Sequence, residues 1–101
     1  MYGRLDGAVN NAGIAGRNEL VKMHLWTAED FDAIMRVNIR GVFLCLKYEI
    51  QQIKLQIEQD EAQNLARRDY AIVNMSSAAG LRGMGGQGPY NASKFAVMVV
   101  I

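Results

Sequence analysis

Two short apolar runs, set either side of a long helical stretch, restrict the fold of this chain more than any single residue does. The first, Asp6-Gly7-Ala8-Val9-Asn10-Asn11-Ala12-Gly13, has an apolar centre that ends in an Asn-Asn-Ala-Gly turn. The second, Ala71-Ile72-Val73-Asn74-Met75, is β-rich and runs into Ser76-Ser77-Ala78-Ala79-Gly80. Near-continuous apolar runs of this length predict buried strands, and turn residues mark where they end. Between them, Thr27-Ala28-Glu29-Asp30 offers a hydroxyl to the free amides of a helix start and acids to its first turn. Phe31, Ile34 and Met35 follow at helical spacing, Asn38 interrupts the pattern, and a long helical stretch resumes from about Ile39. There Ile39, Phe43, Leu46, Ile50, Ile53 and Ile57 recur at alternating spacings of four and three, a heptad-like seam. The seam predicts a helix packed on a sheet, with a coiled coil as the alternative.

Residues 58–69 are polar and read as a solvated helical extension or a loop. Residues 80–89 hold five of the ten glycines and the single proline, and predict a loop. A further helix begins around Tyr90, with Phe95, Ala96, Val97 and Met98 on its apolar side. Strand, helix, helix, strand, helix is the order of a parallel α/β sheet, whose strands need a helical crossover between them. Two strands are too few for a stable sheet of that kind. The expected fold class is therefore part of a doubly wound, three-layer domain, with residues 1–101 as its central segment.

At 101 residues the chain has room for one domain, and 50% hydrophobic against 21% charged residues make it globular. A net charge of +1 provides no basic surface, so neither nucleic acid nor an anionic membrane is an expected partner. Met1-Tyr2-Gly3-Arg4 opens no apolar signal core, and no uncharged run reaches the ~18 residues of a membrane span. A cytoplasmic protein is expected, and the two sequons, at Asn74 and Asn91, read as chance. Cys45, inside Val42-Phe43-Leu44-Cys45-Leu46, is expected to be a buried thiol acting as a small hydrophobe. His24 stands near Trp26 with no second His or acid cluster around it, so it reads as a surface or packing residue, and no metal site is expected. Gly83-Met84-Gly85-Gly86-Gln87-Gly88 is a literal G-x-G-x-x-G. It does not lie directly between a strand and a helix, as a dinucleotide fingerprint must, and reads as the loop between Ser77 and Tyr90.

The chemistry concentrates in Tyr90-Asn91-Ala92-Ser93-Lys94. Residues four apart on a helix share a face, so the Lys94 ammonium lies near the Tyr90 ring. A cation there favours phenolate over phenol, which suits a tyrosine to pass a proton. Tyr-x-x-x-Lys alone is a weak signal, and its company gives it weight. Ser76-Ser77 and Asn10-Asn11-Ala12-Gly13 both fall at the carboxyl ends of predicted strands, where α/β sheets place their sites. Asn38 falls between two helical stretches, where its side-chain amide or a freed backbone carbonyl could hold water.

In order, Asn-Asn-Ala-Gly, then Asn38 followed closely by Arg-Gly-Val-Phe, then Ile-Val-Asn-Met-Ser-Ser-x-x-Gly, then Tyr-x-Ala-Ser-Lys, resemble the short-chain dehydrogenase/reductase family over nearly the whole chain. That resemblance implies a Rossmann-type fold, NAD or NADP as cofactor, and hydride exchange between a small alcohol and its carbonyl. It implies that Tyr90 is the general acid/base and that Lys94 assists it and binds the nicotinamide ribose. Ser77, thirteen residues before Tyr90, would hold the carbonyl oxygen, with Ser76 as the neighbour most easily confused with it. Asn38 would kink its helix and anchor a water. Asn10, Asn11, Ala12 and Gly13 would brace the sheet and pass close to the cofactor, Gly13 by allowing close backbone approach. The family's glycine-rich cofactor turn and its C-terminal part have no counterpart in the sequence, so a central and by itself inactive fragment is expected. Residues 56–68 read as an insertion. The resemblance also implies a homo-oligomer through the 39–57 helix, and a non-enzymatic oligomerisation module is the alternative function.

Overall fold

The computed structural model describes residues 2–100. Strand β1 (Gly7–Asn10) pairs in parallel with β2 (Ala71–Asn74), Gly7 opposite Ala71 and Asn10 opposite Asn74. The ladder extends at both ends, through Ala71 N–H to the Asp6 carbonyl at 3.3 Å and Met75 N–H to the Asn10 carbonyl at 2.9 Å. The crossover is helical: α1 (Ala28–Met35), a π turn (Arg36–Gly41) and α2 (Val42–Ala62). After β2, a 3₁₀ turn (Ala78–Gly80) and a loop lead to α3 (Gly88–Val99). The expected strand and helix order and the parallel α/β class are those observed. The loop is shorter than the glycines suggested, because α3 starts at Gly88 and takes Pro89 into its first turn, where a missing N–H leaves no bond unmade.

Local chemistry accounts for the helix ends. The Thr27 hydroxyl accepts the Asp30 N–H at 3.1 Å, as its position before the apolar periodicity predicts. Thr27 first, then Arg17, hold the Asp30 carboxyl below its ordinary range. Arg17 also stands 5.5 Å from the Trp26 ring, which ties the stretch before α1 to the helix. At the far end of α2, Asn64 takes the left-handed conformation (φ 55°) that commonly ends a helix.

The core lies between α1, the π turn and α3. Ile34 and Asn38 are completely buried there, and Val97 is 4% exposed. Along α2 the inward stripe differs from the expected seam. Of the seam, Ile39, Leu46, Ile53 and Ile57 are half-buried but Phe43 and Ile50 are 51% and 52% exposed, and the buried positions of α2 are Val42 and Gln56, with Glu49 half-buried. The reason is polar. Gln56 is a side-chain clamp on Leu5, donating to its carbonyl and accepting its N–H, both at 2.7 Å, while Glu49 accepts from Asn10 at 2.9 Å. A buried amide with both groups paired carries little penalty, so it can occupy an inward position. Cys45 is exposed, contrary to the expected buried thiol. It lines an open groove at the β1 end with Val9, Asn11, Ala12 and the buried Val42.

The sheet is covered on one face only. Gly7, Val9, Ala71 and Val73 alternate with the half-buried or buried Ala8, Asn10, Ile72 and Asn74. Val9 is 65% and Val73 48% exposed. The radius of gyration is 17.4 Å, against about 13 Å for a compact chain of this length. Among the described residues no helix is long and apolar enough to cross a membrane.

Candidate active site

Both strands end in asparagine, and their side chains meet. Asn10, 8% exposed, donates to the Asn74 side-chain oxygen and to Glu49, both at 2.9 Å. Asn10 is thus spent on bracing the strand ends, and the backbone beyond it turns outward as Asn11-Ala12-Gly13. Asn11, Gly13, Tyr90 and Lys94 together line an open cleft of about 240 Å³, with Ile14, Ala15, Met75 and Ser76 completing its wall. Ala12 faces the neighbouring groove with Cys45.

Lys94 projects from α3 into this cleft and is only 5% exposed. Its ammonium donates to the Met75 carbonyl at 3.3 Å and stands 5.8 Å from the centre of the Tyr90 ring. Among the described residues no carboxylate lies within ion-pairing reach of it. A buried cation with one carbonyl partner is costly unless further oxygens reach it. Gly13 makes the room: a Cβ on it would lie 3.1 Å from the Lys94 nitrogen and 3.4 Å from the Asn38 side-chain oxygen. A cation facing a cleft beside a side-chain-free stretch of backbone fits the hydroxyls of a sugar, the part of a dinucleotide that the sequence resemblance assigns to Lys94.

Asn38 is completely buried in the π turn, which is where the interrupted periodicity put it. Its oxygen accepts the Ile14 N–H at 2.7 Å, and its amide donates to the Ile14 carbonyl at 2.8 Å and to the Ser93 hydroxyl at 3.0 Å. Both amide protons are therefore used within the protein. A π turn leaves backbone carbonyls without their usual helical partners, so a carbonyl, not this side-chain amide, is the group with capacity to hold a water.

The two serines after β2 part ways. Ser76 lines the cleft and donates to the Lys94 backbone carbonyl at 2.8 Å, fastening the end of β2 to α3. Ser77 accepts the Ala79 N–H at 3.2 Å and caps the 3₁₀ turn. Its own proton is not spent in that bond. Gly80 lets the turn lie against α3: a Cβ there would collide with the Ser76 hydroxyl and come within 2.7 Å of the Lys94 carbonyl.

The structure thus gathers Asn11, Gly13, Tyr90 and Lys94 at one cleft and places Asn38 directly behind it, while Asn10 braces, Ala12 faces aside and Ser77 caps. Sequence reasoning missed the parts played by Ile14, Ser93 and Glu49. Ser93 lies inside the Tyr-x-Ala-Ser-Lys motif, so a signal existed, but its partner is 55 residues away in sequence.

The family model described as short chain dehydrogenase matches residues 1–101. Levodione reductase of Leifsonia aquatica is 37% identical over 97 residues, which make up 96% of this chain and 32% of that protein. The crystal structure of 3-ketoacyl-(acyl-carrier-protein) reductase from Brucella melitensis, complexed with NADH, superposes with a TM-score of 0.79 at 31% identity. That match covers 98% of this chain and 37% of that one. ElxO with NADP bound gives a TM-score of 0.69 at 32% identity, covering 96% and 34% of the two chains. The chain spans about a third of the length of the curated relatives it matches.

Proposed function

Because the chain belongs to the short chain dehydrogenase family, we propose that residues 1–101 are the central segment of an NAD(P)-binding Rossmann domain that interconverts an alcohol and a carbonyl. The observation that carries this reading is the Lys94 ammonium, buried without a carboxylate, facing a cleft it shares with Tyr90 and Gly13. A bound NAD or NADP supplies or takes the hydride. Tyr90, on the same helical face as Lys94, gives or takes the proton at the substrate oxygen. Ser77, whose hydroxyl accepts from Ala79 and keeps its proton, donates to that oxygen. Asn38 holds the backbone at Ile14, and with it Gly13, at the distance Lys94 requires. The uncovered face at Val9 and Val73 supports a segment that belongs inside a larger sheet. The relatives solved with NADH and with NADP support either cofactor, and a cytoplasmic location goes with the reading.

Titrating the chain with NADH and with NADPH, read by nicotinamide fluorescence, tests this. Saturable binding of one of them would show that these residues form a cofactor site even as a central segment, and Lys94→Ala should then weaken it about 10- to 100-fold, the worth of a hydrogen bond to a charged group. Binding that survives Lys94→Ala would remove the lysine from the cofactor site. No binding of either nucleotide would remove cofactor capture from these residues by themselves.

One observation favours a second role for α2. Phe43 and Ile50 hold two consecutive turns of apolar surface open to solvent, a suitable contact for a second copy of this chain. Sedimentation velocity should show a dimer that Phe43→Glu converts to monomer, and a parent chain that sediments as a monomer would rule the contact out. Self-association that persists in Tyr90→Phe is common to both roles, whereas nucleotide binding belongs only to the first.

A further inference from the structure

We infer that Ser93 is a positioning residue: its hydroxyl transmits the position of the Asn38 amide to the first turn of α3, and so sets where Tyr90 and Lys94 stand across the cleft from Gly13. The inference rests on the reading that Tyr90 and Lys94 carry the chemistry.

Ser93 is completely buried and does not line the cleft. A hydroxyl has one proton and two lone pairs, and here the proton and one pair are committed in opposite directions. The hydroxyl donates to the Tyr90 carbonyl at 2.8 Å and accepts from Asn38 at 3.0 Å. The bond to Tyr90 is a local back-bond that serines often make in helices, and by itself it would mean little. The bond from Asn38 is different, because it crosses from the π turn to α3 and joins residues 55 apart. Asn38 is in turn fixed at Ile14 by two bonds of 2.7 and 2.8 Å. The result is a continuous run, Ile14 to Asn38 to Ser93 to Tyr90, whose two ends are both walls of the cleft. Every hydrogen on the run is used, so shifting one member leaves a buried polar group unpaired. Alanine at this position would keep the helix and much of the packing but would cut the run at its only link to α3.

The chain has four tyrosines, Tyr2, Tyr48, Tyr70 and Tyr90, which lets ring-labelled tyrosine report on one site with three internal controls. In the parent, a cross-peak between the Tyr90 ring and the Lys94 side chain is expected from their 5.8 Å contact. Ser93→Ala should displace the Tyr90 resonance and lose that cross-peak while the other three tyrosines and the far-ultraviolet dichroism stay as they were. Ser93→Cys, a weaker donor, should give an intermediate displacement. An unmoved Tyr90 in Ser93→Ala overturns the inference, as does a displacement shared by all four rings, which would mean general loosening. If Ser93→Ala fails to fold, Ser93→Cys decides, and an unmoved Tyr90 there overturns it too. Nucleotide titration of the same samples separates the two readings. A displaced Tyr90 in a chain that binds no nucleotide leaves the positioning role standing and removes the cofactor reading; binding with an unmoved Tyr90 does the reverse.

Discussion

In a protein that carries residues 1–101 within a whole Rossmann domain, turnover of NADH or NADPH with a panel of small ketones should fall about 100- to 10,000-fold when Tyr90 is replaced by phenylalanine. That is a loss of roughly 3–5 kcal/mol of transition-state stabilisation from removing one hydroxyl. The size follows from the position of the ring. Tyr90 is half-buried in the first turn of α3, on the cleft wall, and its ring lies beside a cation that has a single carbonyl for company. Phenylalanine keeps the ring, its packing and the 5.8 Å contact with Lys94, so only the proton carrier is lost. Stability should change by no more than about 0.5 kcal/mol in urea denaturation, as for most changes that make no cavity. Nucleotide affinity should stay within about twofold, since Lys94, the residue proposed to hold the ribose, is untouched. Initial-rate measurements on parent and variant decide the matter. Equal rates would take the acid/base role away from Tyr90, and a loss of affinity in step with the rate would make its role positional.

Replacing Asn38 by alanine should destabilise the chain by roughly 2–4 kcal/mol, the largest stability effect expected of any single polar side chain here. Three bonds disappear at once, and the Ile14 N–H, the Ile14 carbonyl and the buried Ser93 hydroxyl lose their mate. Asn38 and Ser93 are both fully buried, so the bond between them is lost where water does not reach. Asn38→Asp is a sharper version. It keeps an acceptor for the Ile14 N–H, loses both donors and adds a charge in a buried site, and should be at least as harmful. Urea denaturation followed by circular dichroism measures both, and a midpoint equal to the parent's in Asn38→Ala would show that the π turn holds without its side-chain clamp. The same variant should free the Ile14 backbone and with it Gly13, so Lys94 would lose its fitted wall even in molecules that remain folded.

Much of this was legible from the residues. Short apolar runs ending in asparagine and serine predict strands whose carboxyl ends carry the site, and β1 and β2 are there. Thr27 predicts the start of a helix, and its hydroxyl caps α1. Asn38, where periodicity fails, predicts a break, and the chain forms a π turn at that point. Four residues from Tyr90 to Lys94 predict a shared helical face, and both side chains line one cleft. Each of these signals is local: a cap, a turn residue, a run of one polarity or a spacing on one helix.

What failed was of another kind. The seam from Ile39 to Ile57 counts apolar residues, but the inward face of α2 carries Glu49 and Gln56. Their partners, Asn10 and Leu5, are 39 and 51 residues away. Cys45 reads as buried because its neighbours in sequence are apolar, yet the groove it lines beside β1 is open and the thiol is exposed. The two serines are a separate case: spacing selects Ser77, while tertiary packing puts Ser76 on the cleft wall but commits its proton to the Lys94 carbonyl and leaves the Ser77 proton unspent.

The sequence alone therefore determined the elements, their order, the parallel α/β class and the shared helical face of Tyr90 and Lys94, because backbone propensity, capping and apolar periodicity act over a few residues. Only the tertiary structure decided which face of α2 turns inward, which polar side chains are buried and which serine faces the cleft. A buried polar group is tolerable only beside its partner, and in this chain the distant partners arrive from 19 to 64 residues away.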